Sequence, residues 1–310
     1  MLKNSFIIIV TYNAMPWLNK CLGSIDFDQF KVVVVDNCSK DETVTFIRNN
    51  YPTVKLFAEQ KNLGFGQGNN KGISYALHQG AERVFLLNQD AYLIDDCLDQ
   101  LIYVQQKKPD YGILSPIHTN ATITRLDRNF SNYVRFDRNP DFYSDHVLSN
   151  ELDEVYEVPF INAAGWLISK ECLMTVGGFD PIFFHYGEDD NFCQRVHYHS
   201  FKIGVVAKQF MVHDREERQK PEIKPYSDDY YKLQDLRLKI KYGNLNDYDQ
   251  NRILMYKKNI KRKLIKALLG QNIKAIKGLK KHLQLIDQVT PQIKKSIELN
   301  KKKQPNYLEI

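Results

Sequence analysis

The chain has 310 residues, 43% of them apolar and 26% charged, with a net charge of +6. This is the composition of a folded globular protein, and it excludes collagen, low-complexity disorder and a coiled coil as the whole-chain answer. No purely apolar run approaches the ~18 residues of a spanning helix, and the length suits one large domain or two smaller ones.

The net charge hides an asymmetry. Residues 251–310 carry 16 Lys/Arg against 3 Asp/Glu, so the rest of the chain is net acidic. An acidic body with a basic tail points to an anionic surface, either a membrane or a nucleic acid. The five cysteines (Cys21, Cys38, Cys97, Cys172 and Cys193) lie far apart with no CxxC pair. That favours a reducing cytoplasm over a disulfide scaffold or a structural zinc site.

In chain order, residues 6–10 form an apolar stretch too short for a secretory h-region and read as a first strand. Residues 31–35, 54–57, 83–87 and 112–114 are likewise mostly apolar and not alternating, apart from Lys31, Lys55 and Arg83, the pattern of buried parallel strands. Between them lie helical spacings: after Pro16, with Trp17, Cys21, Leu22 and Ile25; over about 69–79; and over about 96–106. This alternation predicts βαβ units in a doubly wound, mostly parallel sheet. Residues 117–157 are polar and aperiodic and read as an irregular loop or small subdomain. Regular patterning returns at 160–169 and 203–206, and from about Tyr230 the chain reads as helical.

In an open α/β sheet the ligand site lies beyond the carboxyl ends of the strands. Three predicted strand ends carry polar clusters there: Thr11, Tyr12 and Asn13; Asp36, Asn37 and Ser39; Asn88, Gln89 and Asp90. The loop Asn62-Leu63-Gly64-Phe65-Gly66-Gln67-Gly68-Asn69-Asn70 precedes a predicted helix, whose N-terminus favours an anion. Its glycine spacing fails the dinucleotide fingerprint and follows the third strand, not the first. A plain flexible turn stays open as its meaning. Asp90 suits a hard divalent cation bridging phosphates, and an ordinary turn aspartate is the alternative. Further on, Gly177-Gly178-Phe179-Asp180 leads into Glu188, Asp189 and Asp190 among aromatics. Three acids at a helix start favour the dipole, and they would also stand at a fixed height over a cleft. His213 follows the apolar Phe210-Met211-Val212 and is either structural or a metal ligand.

The order of these motifs over about residues 5–215 resembles the family-2 glycosyltransferases of the GT-A, nucleotide-diphospho-sugar transferase fold, bacterial rhamnosyltransferases among them. The resemblance rests on Ile7-Ile8-Ile9-Val10-Thr11-Tyr12-Asn13, Val33-Val34-Val35-Asp36-Asn37, the glycine loop with Asn69-Asn70-Lys71-Gly72, and Leu86-Leu87-Asn88-Gln89-Asp90. Gly177-Gly178-Phe179-Asp180, Glu188-Asp189 with Arg195, and Val212-His213 complete it. Asn88 stands where many relatives have Asp, and Asn191 occupies the second acidic place of the usual Glu-Asp-x-Asp run.

The resemblance implies an α/β GT-A catalytic domain over 1–225, with a nucleotide-sugar half at 1–115 and an acceptor half at 116–225. A basic helical extension then covers 226–310. It implies an inverting, metal-dependent transfer from a UDP- or dTDP-sugar to a hydroxyl of a glycan or lipid-linked acceptor, in surface polysaccharide synthesis. Thr11, Tyr12, Asn13, Asp36, Asn37, Asn62, Gly64, Gly66, Asn69, Asn88 and Gln89 would line the donor. Asp90 and His213 would hold Mn²⁺ or Mg²⁺. Asp189 would be the general base with Glu188 shaping the pocket, and Gly165, Trp166 and Tyr186 would face the acceptor. An ordinary carboxyl pKa near ~3.9 would leave Asp189 ionised without any shift.

Two rivals stand beside this reading. A sugar nucleotidyltransferase would carry a Gly-rich, Lys/Arg-bearing loop after its first strand, where this chain has Thr11-Tyr12-Asn13. The other is a catalytically silent carbohydrate- or nucleotide-binding subunit. The apolar spacing in 261–289, with lysines on the remaining face, fits a helix on anionic lipid at the inner face of the cytoplasmic membrane, or one packed on a domain. Nucleic acid is not expected as a partner, because the basic segment lacks interleaved aromatics.

Overall fold

A computed structural model describes residues 4–215 and 222–310. The chain divides into two compact units, Met1–Glu216 together with Lys303–Ile310, and Glu217–Lys302. The last eight residues belong with the first unit.

The first unit is built on one mixed sheet. Strands β1 (Ser5–Thr11), β2 (Lys31–Asp36), β3 (Lys55–Ala58) and β4 (Arg83–Asn88) are parallel and stand in the order β3-β2-β1-β4. Next comes β8 (Gly165–Ser169), antiparallel to β4, followed by β6 (Tyr111–Thr119) and β9 (Lys202–His213). The short β5 (Ala91–Leu93) and β7 (Val155–Glu157) both pair antiparallel with β9.

Side chains of β1 alternate between two cores, as a strand covered on both faces requires. Phe6 and Ile8 face α3 (Phe65–His78), α7 (Lys170–Val176) and α8 (Glu188–Tyr198). Ile7 and Ile9 face α1 (Met15–Gly23), α2 (Thr43–Asn50) and α4 (Cys97–Lys107). None of the five cysteines is bonded to another.

Three expectations change. Helix α3 begins at Phe65, so most of the glycine loop is already its first two turns. The 117–157 stretch opens with the end of β6 and carries α5 (Arg128–Tyr133), α6 (Pro140–Leu148) and β7, with Asp127 and Asn139 as N-caps. The fifth predicted strand, now β6, lies parallel to β9 but antiparallel to β8, and its register slips at Ser115–Ile117 around Pro116, which has no N–H to give.

Residues 303–310 act as a strap within the first unit. The Asn306 carbonyl accepts the Gly178 N–H at 2.8 Å, and the Tyr307 hydroxyl donates to Asp180 at 3.1 Å. Gly177 has φ +84° there, and a Cβ would stand 2.4 Å from the Asn306 carbonyl oxygen, so only glycine fits.

The second unit holds α9 (Asp228–Tyr242), α10 (Gln250–Leu269) and α11 (Ile273–Asn300) around its own core of Leu238, Ile253, Ile260, Leu279, Ile286 and Ile293. His282 is buried there, with the Tyr230 and Tyr256 hydroxyls at its two ring nitrogens. No helix among the described residues is long and apolar enough to cross a membrane.

Candidate active site

The parallel register lines up the strand ends, with Thr11 beside Asp36 and Val10 beside Asn88. The rim built on them is tightly hydrogen-bonded. Asp36 is 1% exposed, and its Oδ1 accepts the Thr11 hydroxyl at 2.9 Å and the Ser39 hydroxyl at 2.5 Å. Its Oδ2 accepts the Ser39 N–H at 2.9 Å. Ser39 Oγ also accepts the Asn13 N–H at 2.9 Å, and Asn13 Oδ1 in turn accepts the Lys40 N–H. Gln89 clamps the Tyr12 backbone with both ends of its amide, at 2.7 and 3.2 Å. Tyr12 itself is exposed, and Asn88 is half-buried.

The glycine segment serves packing. Asn37 ties it down, donating to the Gly64 carbonyl at 3.1 Å and accepting the Leu63 N–H at 3.2 Å, while Asn62 accepts the Gly64 N–H. Gly64 has φ +80°, and a Cβ there would lie 2.2 Å from the Phe184 carbonyl oxygen. Side chains at Gly66 and Gly72 would collide with Phe179 and Ile8 at 2.9 and 2.4 Å, so the glycines let α3 press on β1 and on the segment before α8. Asn69 is buried and donates to the Phe65 carbonyl. Asn70 holds the Phe179 backbone through both ends of its amide, at 2.7 and 2.8 Å. Asn62, Lys61 and Gln67 are the exposed polar side chains of this segment.

At the other end of the rim, pairing of β5 with β9 sets Ala91 opposite His213. This brings His213 Nε2 to 3.6 Å from Asp90 Oδ1, while His213 Nδ1 is buried without a partner. The 3.6 Å gap is too long for a hydrogen bond and suits two donors sharing one cation. Among the described residues no group of three His, Cys, Asp or Glu could hold a metal ion. A cation at this pair therefore needs further ligands from elsewhere, and the oxygens of a diphosphate meet that need. Behind His213, the His118 ring lies edge-on at 6.0 Å and takes its own hydrogen bond with Ser115 at 3.0 Å.

Helix α8 opens after Gly187, whose φ of +82° ends the incoming loop, and its first turn carries Glu188, Asp189 and Asp190. Glu188 is 5% exposed, stands beside the Gly66 backbone of α3, and leaves Oε2 without a partner. Burial, then the charge of Asp189, pushes its carboxyl up to about 8. Burial, then the charge of Asp190, pushes Asp189 up to about 7, against hydrogen bonds from the backbone at Asp190, Asp189 and Ala163. The expectation of an unshifted Asp189 is thus corrected: packing against the interior withdraws solvent from it.

Several residues of this site were not singled out from sequence. Arg215, two residues past His213, donates from Nε and one terminal nitrogen to Asp127, at 2.9 and 2.6 Å. Asp127 also caps α5, accepting the Asn129 and Phe130 N–H groups, and against its burial the pair with Arg215 holds its carboxyl below the usual range. The N-cap of α5 is thus tied to the chain just past β9 through the Asp127–Arg215 pair. Of the residues expected at the acceptor, Gly165 and Trp166 are core positions. Trp166 is wholly buried and stacked on Phe179, and a Cβ on Gly165 would strike Met211. Tyr186 is 66% exposed.

With this geometry in hand, comparison with known proteins fixes the class: the pattern of glycosyl transferase family 2 matches residues 6–167, and the chain belongs to that family. Among curated proteins it is 26% identical over 221 residues to a dTDP-rhamnosyl transferase, RfbF, of Shigella flexneri, covering 69% of this chain and 70% of that one. It is 25% identical over 206 residues to an N-acetylglucosaminyl-diphospho-decaprenol L-rhamnosyltransferase of Mycobacterium tuberculosis, covering 59% and 67%.

Two solved structures share the fold. One is TarS 1–349 of S. aureus, with a TM-score of 0.53 and 17% identity, covering 79% of this chain and 66% of that one, so this chain spans just under two thirds of it. The other is a mannosyltransferase of Pyrobaculum calidifontis in complex with GDP-Man and Mn²⁺, with a TM-score of 0.54 and 18% identity, covering 96% and 74%. The architecture is the GT-A type with added C-terminal helices.

Proposed function

We propose that the chain transfers a sugar from a dTDP- or UDP-sugar to a hydroxyl of a glycan or lipid-linked acceptor, with inversion at the anomeric carbon. One observation supports the reading most: Asp90 Oδ1 and His213 Nε2 stand 3.6 Å apart at the strand-end rim, as two ligands of one cation would. The name of one relative, a dTDP-rhamnosyl transferase, supports the donor class, and that of the other, an N-acetylglucosaminyl-diphospho-decaprenol L-rhamnosyltransferase, supports a lipid-linked acceptor.

In this mechanism Asp189 accepts the acceptor hydroxyl's proton as the acceptor oxygen bonds to the anomeric carbon. The bond from that carbon to the diphosphate oxygen breaks, and a nucleoside diphosphate leaves. A positioned base contributes ~10²–10⁴-fold to such a step. Asp90 and His213 would hold Mn²⁺ or Mg²⁺, which supplies positive charge beside the diphosphate when bound. Glu188, buried and pushed up to about 8, keeps its proton at neutral pH and serves as a donor to a sugar or acceptor oxygen. Asp36, buried and already holding Thr11 and Ser39, would accept from the base; exposed Tyr12, Asn62 and Gln67 with half-buried Asn13 supply the polar and aromatic rim. The acceptor side is assigned to Tyr186. The protein works at the inner face of a membrane, where a lipid-linked acceptor would lie.

The test is a thermal-shift series with dTDP-, UDP- and GDP-sugars, with Mn²⁺ or with excess EDTA. A ligand that prefers the native state raises Tm, by about 2.7 kcal/mol of stability at a hundredfold excess over Kd. A dTDP- or UDP-sugar should raise Tm with Mn²⁺ and much less with EDTA. No shift with any donor refutes the reading, and an equal shift in EDTA refutes the metal assignment.

A further inference from the structure

The hairpin of α10 and α11 carries a feature the sugar chemistry does not use. Residues 250–286 contain eleven Lys/Arg and no Asp/Glu. Arg252, Lys257 and Lys281 of this stretch are paired, with Asp247, Asp287 and Asp228. Lys261, Arg262, Lys263, Lys266, Lys274 and Lys277, which cluster toward the turn at Gly270–Asn272, have no acidic partner among the described residues. Across residues 261–274 only Leu264 and Ala267 are even half-covered; the rest are exposed.

The same turn exposes apolar side chains that no fold requirement explains. Ile265, Leu268 and Leu269 follow one another down α10 at helical spacing and Ile273 opens α11, with exposures of 56, 50, 81 and 68%. In water these large side chains gain nothing, whereas neighbouring Ile260 and Leu279 are buried in the unit's own core.

We propose that the tip of this hairpin is a docking surface for an anionic lipid bilayer, with the four apolar side chains seated among the acyl chains and the six cations at the headgroups. Two physical facts select this occupant. A second copy would bring two acid-free basic tips together, which repel. A nucleic acid would satisfy the cations but leave Leu268, Leu269 and Ile273 in water, whereas a bilayer takes both. No helix among the described residues is long and apolar enough to cross a membrane, and the proposed contact is peripheral and weakened by salt. The proposal rests on the membrane-side acceptor reading only for its purpose; binding itself is independent of catalysis.

The experiment is vesicle co-sedimentation of the full chain with phosphatidylcholine alone and with 30% phosphatidylglycerol, at low and high salt. Wild-type protein should bind the anionic vesicles at least tenfold more tightly, and high salt should weaken that binding. At about fivefold per cation near the surface, Lys261→Gln/Lys263→Gln/Lys266→Gln should lose on the order of 100-fold. Leu268→Gln/Leu269→Gln/Ile273→Gln should lose at least tenfold and abolish what binding survives high salt. These positions are exposed, so both variants should keep the wild-type Tm.

Equal binding to both vesicle types, unchanged binding by either variant, or tighter binding to a DNA duplex than to the vesicles overturns the proposal; so does a concentration-dependent dimer that the tip variant dissolves. Donor thermal shifts on the same preparations separate the two readings. Donor binding without vesicle binding removes this proposal alone, and vesicle binding without any donor shift removes the functional reading alone.

Discussion

Asp189→Asn is the sharpest perturbation of the catalytic reading, because the structure sets both its kinetic and its stability signature. With the Asp189 carboxyl pushed up to about 7 by burial and then by Asp190, only about a tenth of it is ionised at pH ~6. If it takes the acceptor's proton, turnover of the wild type falls about tenfold per pH unit below ~7 and levels off above. Replacement by Asn removes the base without changing the shape, so turnover should drop ~10²–10⁴-fold while donor affinity holds.

Stability moves oppositely. The folded carboxyl keeps its proton up to about 7, whereas an unfolded Asp releases it near ~4, so between those values the folded state binds more protons and stability declines as pH rises. The full difference corresponds to at most about 4 kcal/mol, and partial exposure of the side chain reduces it to roughly 1–2 kcal/mol. Asp189→Asn should therefore gain about that much at pH ~8 and flatten the stability–pH curve. Nucleoside diphosphate release from pH ~5.5 to ~8.5, with urea melts at both ends, measures both. Normal turnover by the variant, or a wild-type profile flat from pH ~5.5 to ~7, refutes the assignment.

The rim and the glycine segment make separate demands. Asp36→Ala orphans the Thr11 hydroxyl and the Ser39 hydroxyl and N–H, so urea unfolding should show a loss of about 2–4 kcal/mol in addition to weaker nucleotide binding. Unchanged stability would show that these groups find water instead. Gly64→Ala should lose at least as much, since its φ is positive and a Cβ would lie 2.2 Å from the Phe184 carbonyl oxygen. A wild-type Tm for that variant would show that the segment before α8 moves aside freely.

The parallel half of the fold was legible because its strands are buried on both faces, and runs such as Ile7-Ile8-Ile9 have no other economical reading. The gathering of polar residues at its strand ends was equally legible, since topology alone brings Asp36 and Asp90 to one rim. The pairing of Asp90 with His213 was suggested only by resemblance. Its cause is a three-residue strand meeting the end of β9 more than a hundred residues later, and no local pattern encodes that. The glycine segment carries a packing demand that its spacing did not show. Its glycines looked like backbone left open for a ligand, and the space is filled by Phe179, Phe184, Val10 and Ile8. Spacing along a chain cannot distinguish room made for a ligand from room made for a neighbouring side chain. The 117–157 region hid its helices because they are short and bury little beyond Phe130, Val134 and Phe142, too few to impose a period.

Asn191 shows why a departure from a motif is best read through its neighbours. It sits one turn before Arg195 on α8 and accepts that residue's Nε at 2.9 Å, while the two terminal nitrogens donate to the Val176 and Gly178 carbonyls at 2.7 Å each. Arg195 is wholly buried, so all three of these bonds are needed to offset its desolvation. The carbonyls it holds belong to the turn that delivers Phe179 to Asn70, and Asn70 fixes the start of α3 against the approach to α8. A carboxylate at 191 could hold the arginine as well as the amide does. It would also add a further carboxylate within one turn of Asp189, and like charge drives a buried carboxyl further toward its protonated form. With Asn191 the arginine stays satisfied and the acidic cluster stops at three, which leaves the Asp189 carboxyl at about 7, where the proposed base would be most useful.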